Sequence, residues 1–190
     1  MEVIMNKSAF LIGAILVALN VSAQPREGKR VELGISGAYQ NYSSGSSSSS
    51  SSAFLISPRV GMYIVEGFAF EPEITLLMTT GNDPAYVLNG NFAYSFLQTG
   101  KGIPFILLGY GIANSVPLFN LPLATPGFTV GVLNLGAGVK AYLVEDVALR
   151  IEYRYQNFSG EARRDYGFYS YTQKVDTRIH SVQFGLSVLL

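Results

Sequence analysis

The 190-residue chain has no cysteine, which excludes disulfide staples and thiolate metal sites. It has one histidine, His180, too few for an imidazole-rich metal centre. Charge is scarce: 14% of residues are charged, against roughly 25% in ordinary globular domains. Thirteen basic and thirteen acidic residues cancel, so the chain lacks the basic footprint of a nucleic-acid binder. It also lacks an apolar run long enough for a membrane helix. The run Ala9–Leu19 holds eleven residues, where a span needs about 20, and no later segment comes closer. What is abundant is glycine (20 residues) and the pair Phe and Tyr (12 each), a composition that fits strands and turns better than helices.

The N-terminus reads as a secretory signal peptide. Lys7 lies in a short polar start, the apolar run follows, and Val21 and Ala23 occupy the positions a signal peptidase reads. Residues 1–23 are therefore expected to be removed before Gln24, and the signal reads equally well from Met5. Residues 24–190 are expected to form one exported domain, without a transmembrane helix.

Within that domain the pattern is a period of two. In "ALRIEYRYQ", Leu149, Ile151, Tyr153 and Tyr155 share one parity, and Arg150, Glu152, Arg154 and Gln156 share the other. Such alternation marks an extended strand with one apolar and one charged face. Similar segments begin at Val31 and run Val31–Gln40, Phe54–Val65, Phe68–Met78, Tyr86–Phe96, Ile103–Ala113 and Phe128–Leu143. The stretch from Ala148 is the seventh and Lys174–Leu190 the eighth. Between them, Asn41–Ala53 (with the Ser43–Ser52 tract), Thr79–Ala85, Asn114–Gly127 and Ser159–Gln173 read as loops. Glu66-Gly67, "LQTGKG" and "VED" read as short turns. Consecutive antiparallel strands put alternate connections at opposite ends, so one end should carry the long loops and the other the tight turns, as in transmembrane barrels. The expected fold is all-β, an eight-stranded antiparallel up-and-down transmembrane β-barrel.

The two faces differ in volume. One carries Leu33, Ile35, Met62, Phe70, Leu88, Phe92, Leu135, Phe184 and Leu186; the other carries Gly34, Ser36, Gly61, Asn89, Asn91, Gly136, Gly138 and Gly185. An eight-stranded barrel has an interior just wide enough to be filled by side chains. Large residues from every strand would overfill it, so the apolar face is expected outside. The small-residue face also holds Glu32, Glu71, Glu73 and Glu152 against Arg59, Lys140, Arg150 and Arg154. Basic residues near a bilayer midplane would cost roughly 2–4 kcal/mol each; inside a barrel these four acids and four bases can pair. The rival is a soluble lipocalin-like barrel with the faces reversed.

At this point the chain resembles the OmpA/OmpX-type family of eight-stranded outer-membrane β-barrel proteins. The residues that carry the resemblance are "PRVGMYIVEGFAFEPEITL" (Pro58–Leu76), "LGAGVKAYLVEDVALRIEYRYQNF" (Leu135–Phe158) and the closing strand. Its end, "QFGLSVLL", is similar to the terminal assembly signal of such barrels, with Gln183, Gly185, Val188 and Leu190 in the four defining places; Leu190 stands where the family usually has Phe or Tyr. The resemblance implies insertion by the barrel-assembly machinery, contact with outer-membrane lipid and lipopolysaccharide, and residence in the outer membrane of a Gram-negative bacterium. The peptidoglycan-binding domain that follows some relatives is not expected after the final strand.

Three functions are open at this stage. The first is a monomeric structural or surface-interaction barrel with a plugged lumen, whose loops meet an unknown surface ligand. Arg163, Arg164, Tyr166 and Tyr169 in "EARRDYGFYSYT" are the candidate contacts. The second is a narrow channel, disfavoured because open aqueous pores typically take 16–18 strands. The third is a lipid-modifying enzyme, which needs a nucleophile and a base in reach of each other. His180 and Ser181 are neighbours and so face opposite ways along a strand, and His180 reads as an aromatic at the external rim. No catalytic residue, cofactor or metal ligand is expected.

Overall fold

The computed structural model describes residues 30–43, 50–79, 84–96, 102–114, 130–165 and 170–190. The expected signal peptide and the expected junction at Gln24 both lie outside the described residues. Eight strands follow one another: β1 (Val31–Ser43), β2 (Ser50–Val65), β3 (Phe68–Thr79), β4 (Ala85–Ser95), β5 (Gly102–Ala113), β6 (Val130–Val144), β7 (Val147–Asp165) and β8 (Ser170–Leu189). Each pairs antiparallel with its sequence neighbour, and β8 returns to β1 to close the barrel. From Glu32↔Leu189 to Gly37↔Phe184, that closing ladder removes the unpaired edges that an open sheet would present.

Two tight connections mark one end, here the turn end. Val65 pairs with Phe68 across Glu66-Gly67, and Val144 pairs with Val147 across Glu145-Asp146. Gly67 has φ 76°, a left-handed conformation that costs a residue with a Cβ about 1–2 kcal/mol. A register shift precedes each turn, between Tyr63 and Val65 and between Tyr142 and Val144, which increases the local twist where the chain reverses.

At the opposite, loop end the strands run further than their alternation indicates. Ser50–Ser52, expected in a loop tip, open β2 and pair with Asn41–Ser43. Most of the expected loop Ser159–Gln173 is also strand: Ser159 to Asp165 continue β7, and Ser170 to Gln173 begin β8. Only residues 166–169 separate these two strands. Backbone ladders do not require an apolar side, so where both faces of a hairpin are polar the ladder continues while the sequence signal of a strand disappears.

The faces divide by volume. Large apolar side chains cover the outside: Ile35 is 53% exposed, Leu108 55% and Phe184 58%. The barrel interior holds Arg150 and Arg154 at 0% and Arg59 at 5%. A soluble barrel would show the reverse.

Candidate functional site

The lumen is stacked in three levels. Nearest the turn end, Ile103, Tyr142 and Ala148 form a small apolar floor. The eight charged residues proposed from parity lie above it, all buried: Glu32 on β1, Arg59 on β2, Glu71 and Glu73 on β3, Lys140 on β6, and Arg150, Glu152 and Arg154 on β7.

These eight form one connected array. Lys140 Nζ donates to Glu32 Oε2 at 2.6 Å and lies 3.6 Å from Glu71 Oε1. Arg150 donates from Nη1 to Glu71 Oε1 at 3.0 Å, and its Nη2 lies 3.0 Å from Oε2 as an ion-pair contact. It also reaches Glu152 Oε2 from Nε at 2.9 Å and from Nη2 at 2.8 Å. Arg154 holds the other Glu152 oxygen from Nε and Nη2, both at 2.6 Å. It also forks onto Glu73, through a short contact to Oε1 and one of 3.0 Å to Oε2. Arg59 bridges Glu152 at 3.4 Å and Glu73 at 3.7 Å, and donates to Ser36 Oγ at 2.9 Å. Bidentate Arg–carboxylate geometry of this kind is what makes buried charge tolerable.

Glycine makes room for these long side chains. Five of the eight stand directly across from a glycine on the neighbouring strand: Glu32 from Gly61, Arg59 from Gly34, Glu152 from Gly138, Arg154 from Gly136 and Arg150 from Gly185. At Gly138 a Cβ would meet the Ile151 carbonyl and come within 2.8 Å of the Phe105 ring. That ring lies 4.1 Å from the Arg150 guanidinium carbon and 5.7 Å from Lys140 Nζ, an arrangement that stabilises cations over a π face. Lys140 and Arg150 are themselves cross-strand partners. Like charges so placed repel, and Glu71 between them with Phe105 beside both offsets the repulsion.

A relay of amides sits beside the charges. Gln156 donates to Asn134 at 2.8 Å, Asn134 to Asn89 at 2.9 Å, and Asn89 to Glu73 at 3.2 Å. It links β7, β6, β4 and β3.

The third level, toward the loop end, departs from the expected small polar lining. Ala38, Leu55, Leu77, Val87, Val132, Phe158 and Ile179 fill the lumen there. Their parity was available in the sequence: Phe158 continues Arg150, Glu152, Arg154 and Gln156, and Leu55 continues Arg59 and Ser57. An apolar residue at a lumen position reads as a break in the pattern unless parity is carried through it.

The remaining expected site residues are placed as follows. On β8, Gln183 and Gly185 face the lumen and Val188 is exposed on the outside; Leu190, one residue past the strand, is also exposed. A Cβ at Gly185 would come within 2.6 Å of the Ile35 carbonyl oxygen and 2.7 Å of Ser36 Cβ, so β1 and β8 close against each other through this glycine. Arg163 and Arg164 belong to β7, paired with Thr172 and Tyr171, and not to a loop. Tyr166 and Tyr169 lie outside the described residues. His180 is exposed on the outer wall, 2.6 Å from the Tyr153 hydroxyl and 5.1 Å from the Tyr155 ring centre, while Ser181 is buried on the lumen side. Among the described residues no group of His, Cys, Asp or Glu is arranged to hold a metal.

Together the closed eight-stranded antiparallel ladder, the apolar exterior and the ion-paired interior define the transmembrane β-barrel fold. Solved structures share it. Neisserial surface protein A (NspA) superposes with a TM-score of 0.55 at 14% identity, over 84% of this chain and 96% of that one. A barrel from a study of de novo designed transmembrane β-barrels gives a TM-score of 0.50 at 9% identity, over 88% and 100%. At these identities the likeness is one of fold. No family model matches the sequence, and no curated protein matches it.

Proposed function

We propose that this protein is a small integral outer-membrane β-barrel of the OmpA/OmpX type, exported by a cleaved signal peptide. Its role is structural or surface-interacting, and it is neither a pore nor an enzyme. The observation that carries the reading is the inverted burial: an apolar outer wall around a lumen filled by eight mutually paired charges. Such a wall meets acyl chains favourably, and a charged plug beneath an apolar cap fills the lumen among the described residues. The barrel acts as a monomer, meets lipopolysaccharide and lipid along its belt, and is inserted by the barrel-assembly machinery through the closing strand that holds Gly185 and Leu190. The tall β7–β8 hairpin, with Arg163 and Arg164, presents the surface for an external ligand.

The test is fractionation followed by electrophoresis with and without boiling. Recovery in the outer-membrane fraction, with a mobility change on boiling, is the expected result. A freely soluble periplasmic protein would overturn the reading. For the external surface, Arg163→Ala with Arg164→Ala should weaken binding to lipopolysaccharide-coated beads while leaving the mobility change intact; unchanged binding would remove these two residues from the contact.

A further inference from the structure

The closure between β1 and β8 is incomplete. Its ladder runs from Glu32↔Leu189 to Gly37↔Phe184 and stops. Both strands continue past that rung: β1 stays paired with β2 as far as Ser43, and β8 stays paired with β7 as far as Ser170. Two hairpins therefore rise side by side without a ladder between them, and the wall parts.

The parting is a groove of about 660 Å³, within the roughly 300–1,000 Å³ typical of small-molecule sites. Its lining comes from both faces of the wall. Tyr39, Phe54, Val182 and Phe184 belong to the outer face, whereas Ala38 and Ser181 belong to the lumen face and are 5% and 4% exposed. A groove lined by both parities cuts into the wall instead of lying on it. Behind it stands the apolar cap of the lumen, which includes Ala38, Leu55 and Ile179.

Polarity is graded along the groove. Phe184 and Val182 line its end nearer the middle of the strand, and His180, in contact with the Tyr153 hydroxyl, lines its end nearer the loops. Beyond that end the outward-facing residues of β8 become Arg178, Asp176 and Lys174. An apolar end, hydrogen-bonding groups at the other and two cations above one carboxylate match one occupant in particular, a lipid with an acyl chain and an anionic head. Continuity with the apolar belt supplies the route of entry. A tilted strand crosses a bilayer in about 9–11 residues, which places His180, ten residues from Leu190, at the outer boundary and the groove in the outer half of the belt.

We infer that the β1–β8 groove is a lateral binding site for the acyl chain of an anionic membrane lipid. This rests on the outer-membrane reading above. Backbone N–H groups on the strand edges beyond the ladder can donate to the ester oxygens of the bound lipid, acceptors that hydrocarbon alone cannot provide.

The chain contains no tryptophan, so a single one reports its own surroundings. Phe184→Trp places the probe in the groove, and Ile106→Trp places it on the open wall, where Ile106 is outward-facing on β5. Each full-length variant is titrated in detergent micelles with phosphatidylglycerol brominated on its acyl chains. Position 184 should reach half-quenching at a lipid mole fraction about tenfold below that for position 106. Gly37→Leu, which directs a side chain into the groove, should abolish that preference when combined with Phe184→Trp, in protein that still shifts on boiling. Equal quenching at 184 and 106 in the parent pair would overturn the inference. So would quenching at 184 that is relieved by raising protein concentration, which would assign the groove to a second copy of the chain. If neither position is quenched in vesicles made wholly of the brominated lipid, the wall does not face acyl chains and the outer-membrane reading itself fails.

Discussion

Glu152→Gln removes one charge from the centre of the lumen with almost no change in shape. The carboxylate is fully desolvated and contacts three guanidiniums: Arg150 at 2.8 Å, Arg154 at 2.6 Å and Arg59 at 3.4 Å. Glutamine replaces one of its two acceptor oxygens by a donor, which then points at donors. Removing one member of a buried ionic group costs about 3–5 kcal/mol, because its partners remain buried without compensation. In urea, with a slope of about 2 kcal/mol/M, that lowers the unfolding midpoint by about 2 M. The assay is the fraction of protein keeping the compact, boiling-sensitive mobility after equilibration in urea and lipid vesicles. The structure also indicates which second change should help. Arg150 keeps its hydrogen-bonded ion pair with Glu71 and Arg154 keeps its fork on Glu73, whereas Arg59 loses its shorter carboxylate contact. Glu152→Gln with Arg59→Gln restores neutrality and spares both of these pairs, so the double variant should recover at least about 1 kcal/mol relative to additivity. A single-variant loss under about 1 kcal/mol, or strict additivity in the pair, would refute the view that these ions hold the lumen together.

Leu108→Arg sets a cation at mid-belt, beside Phe92 and Leu135. It should cost about 2–4 kcal/mol in lipid vesicles, whereas an exposed position on a soluble barrel would change by less than about 0.5 kcal/mol. Gly185→Val should destabilise by about 1–3 kcal/mol through overpacking, read as a lower urea midpoint, because its Cβ collides with Ile35 and Ser36 across the closing seam. In planar bilayers the parent protein should give no steady conductance. Arg154→Ala should stay silent as well, since Leu77, Val132 and Phe158 still cap the loop end; steps should require Phe158→Ala in addition, and conductance from Arg154→Ala alone would remove the cap from the account.

Much of the lumen was legible because parity is a local property. Arg150, Glu152 and Arg154 alternate with Leu149, Ile151 and Tyr153, and in an extended chain that alternation fixes which residues share a face whatever the rest of the molecule does. Volume then selected the outward face. Partner choice was not legible. Glu73 meets Arg154 across 81 positions, a contact set by strand tilt and register around the circumference. The extensions of β1, β2, β7 and β8 were hidden for a different reason: Ser50–Ser52 and Arg163–Arg164 carry no apolar parity, and their strands are held by backbone hydrogen bonds that any side chain permits.

By itself the sequence determined a set of two-faced strands, their order, and an excess of bulk on one face that only an outside surface accommodates. Tertiary structure alone decided where the circle closes and how far. The β1–β8 ladder ends at Gly37 and Phe184 although both strands go on, and the reason is geometric: each strand stays bound to its own hairpin partner beyond that rung. The gap between two hairpins depends on how they splay in space, and no periodicity along either strand encodes it.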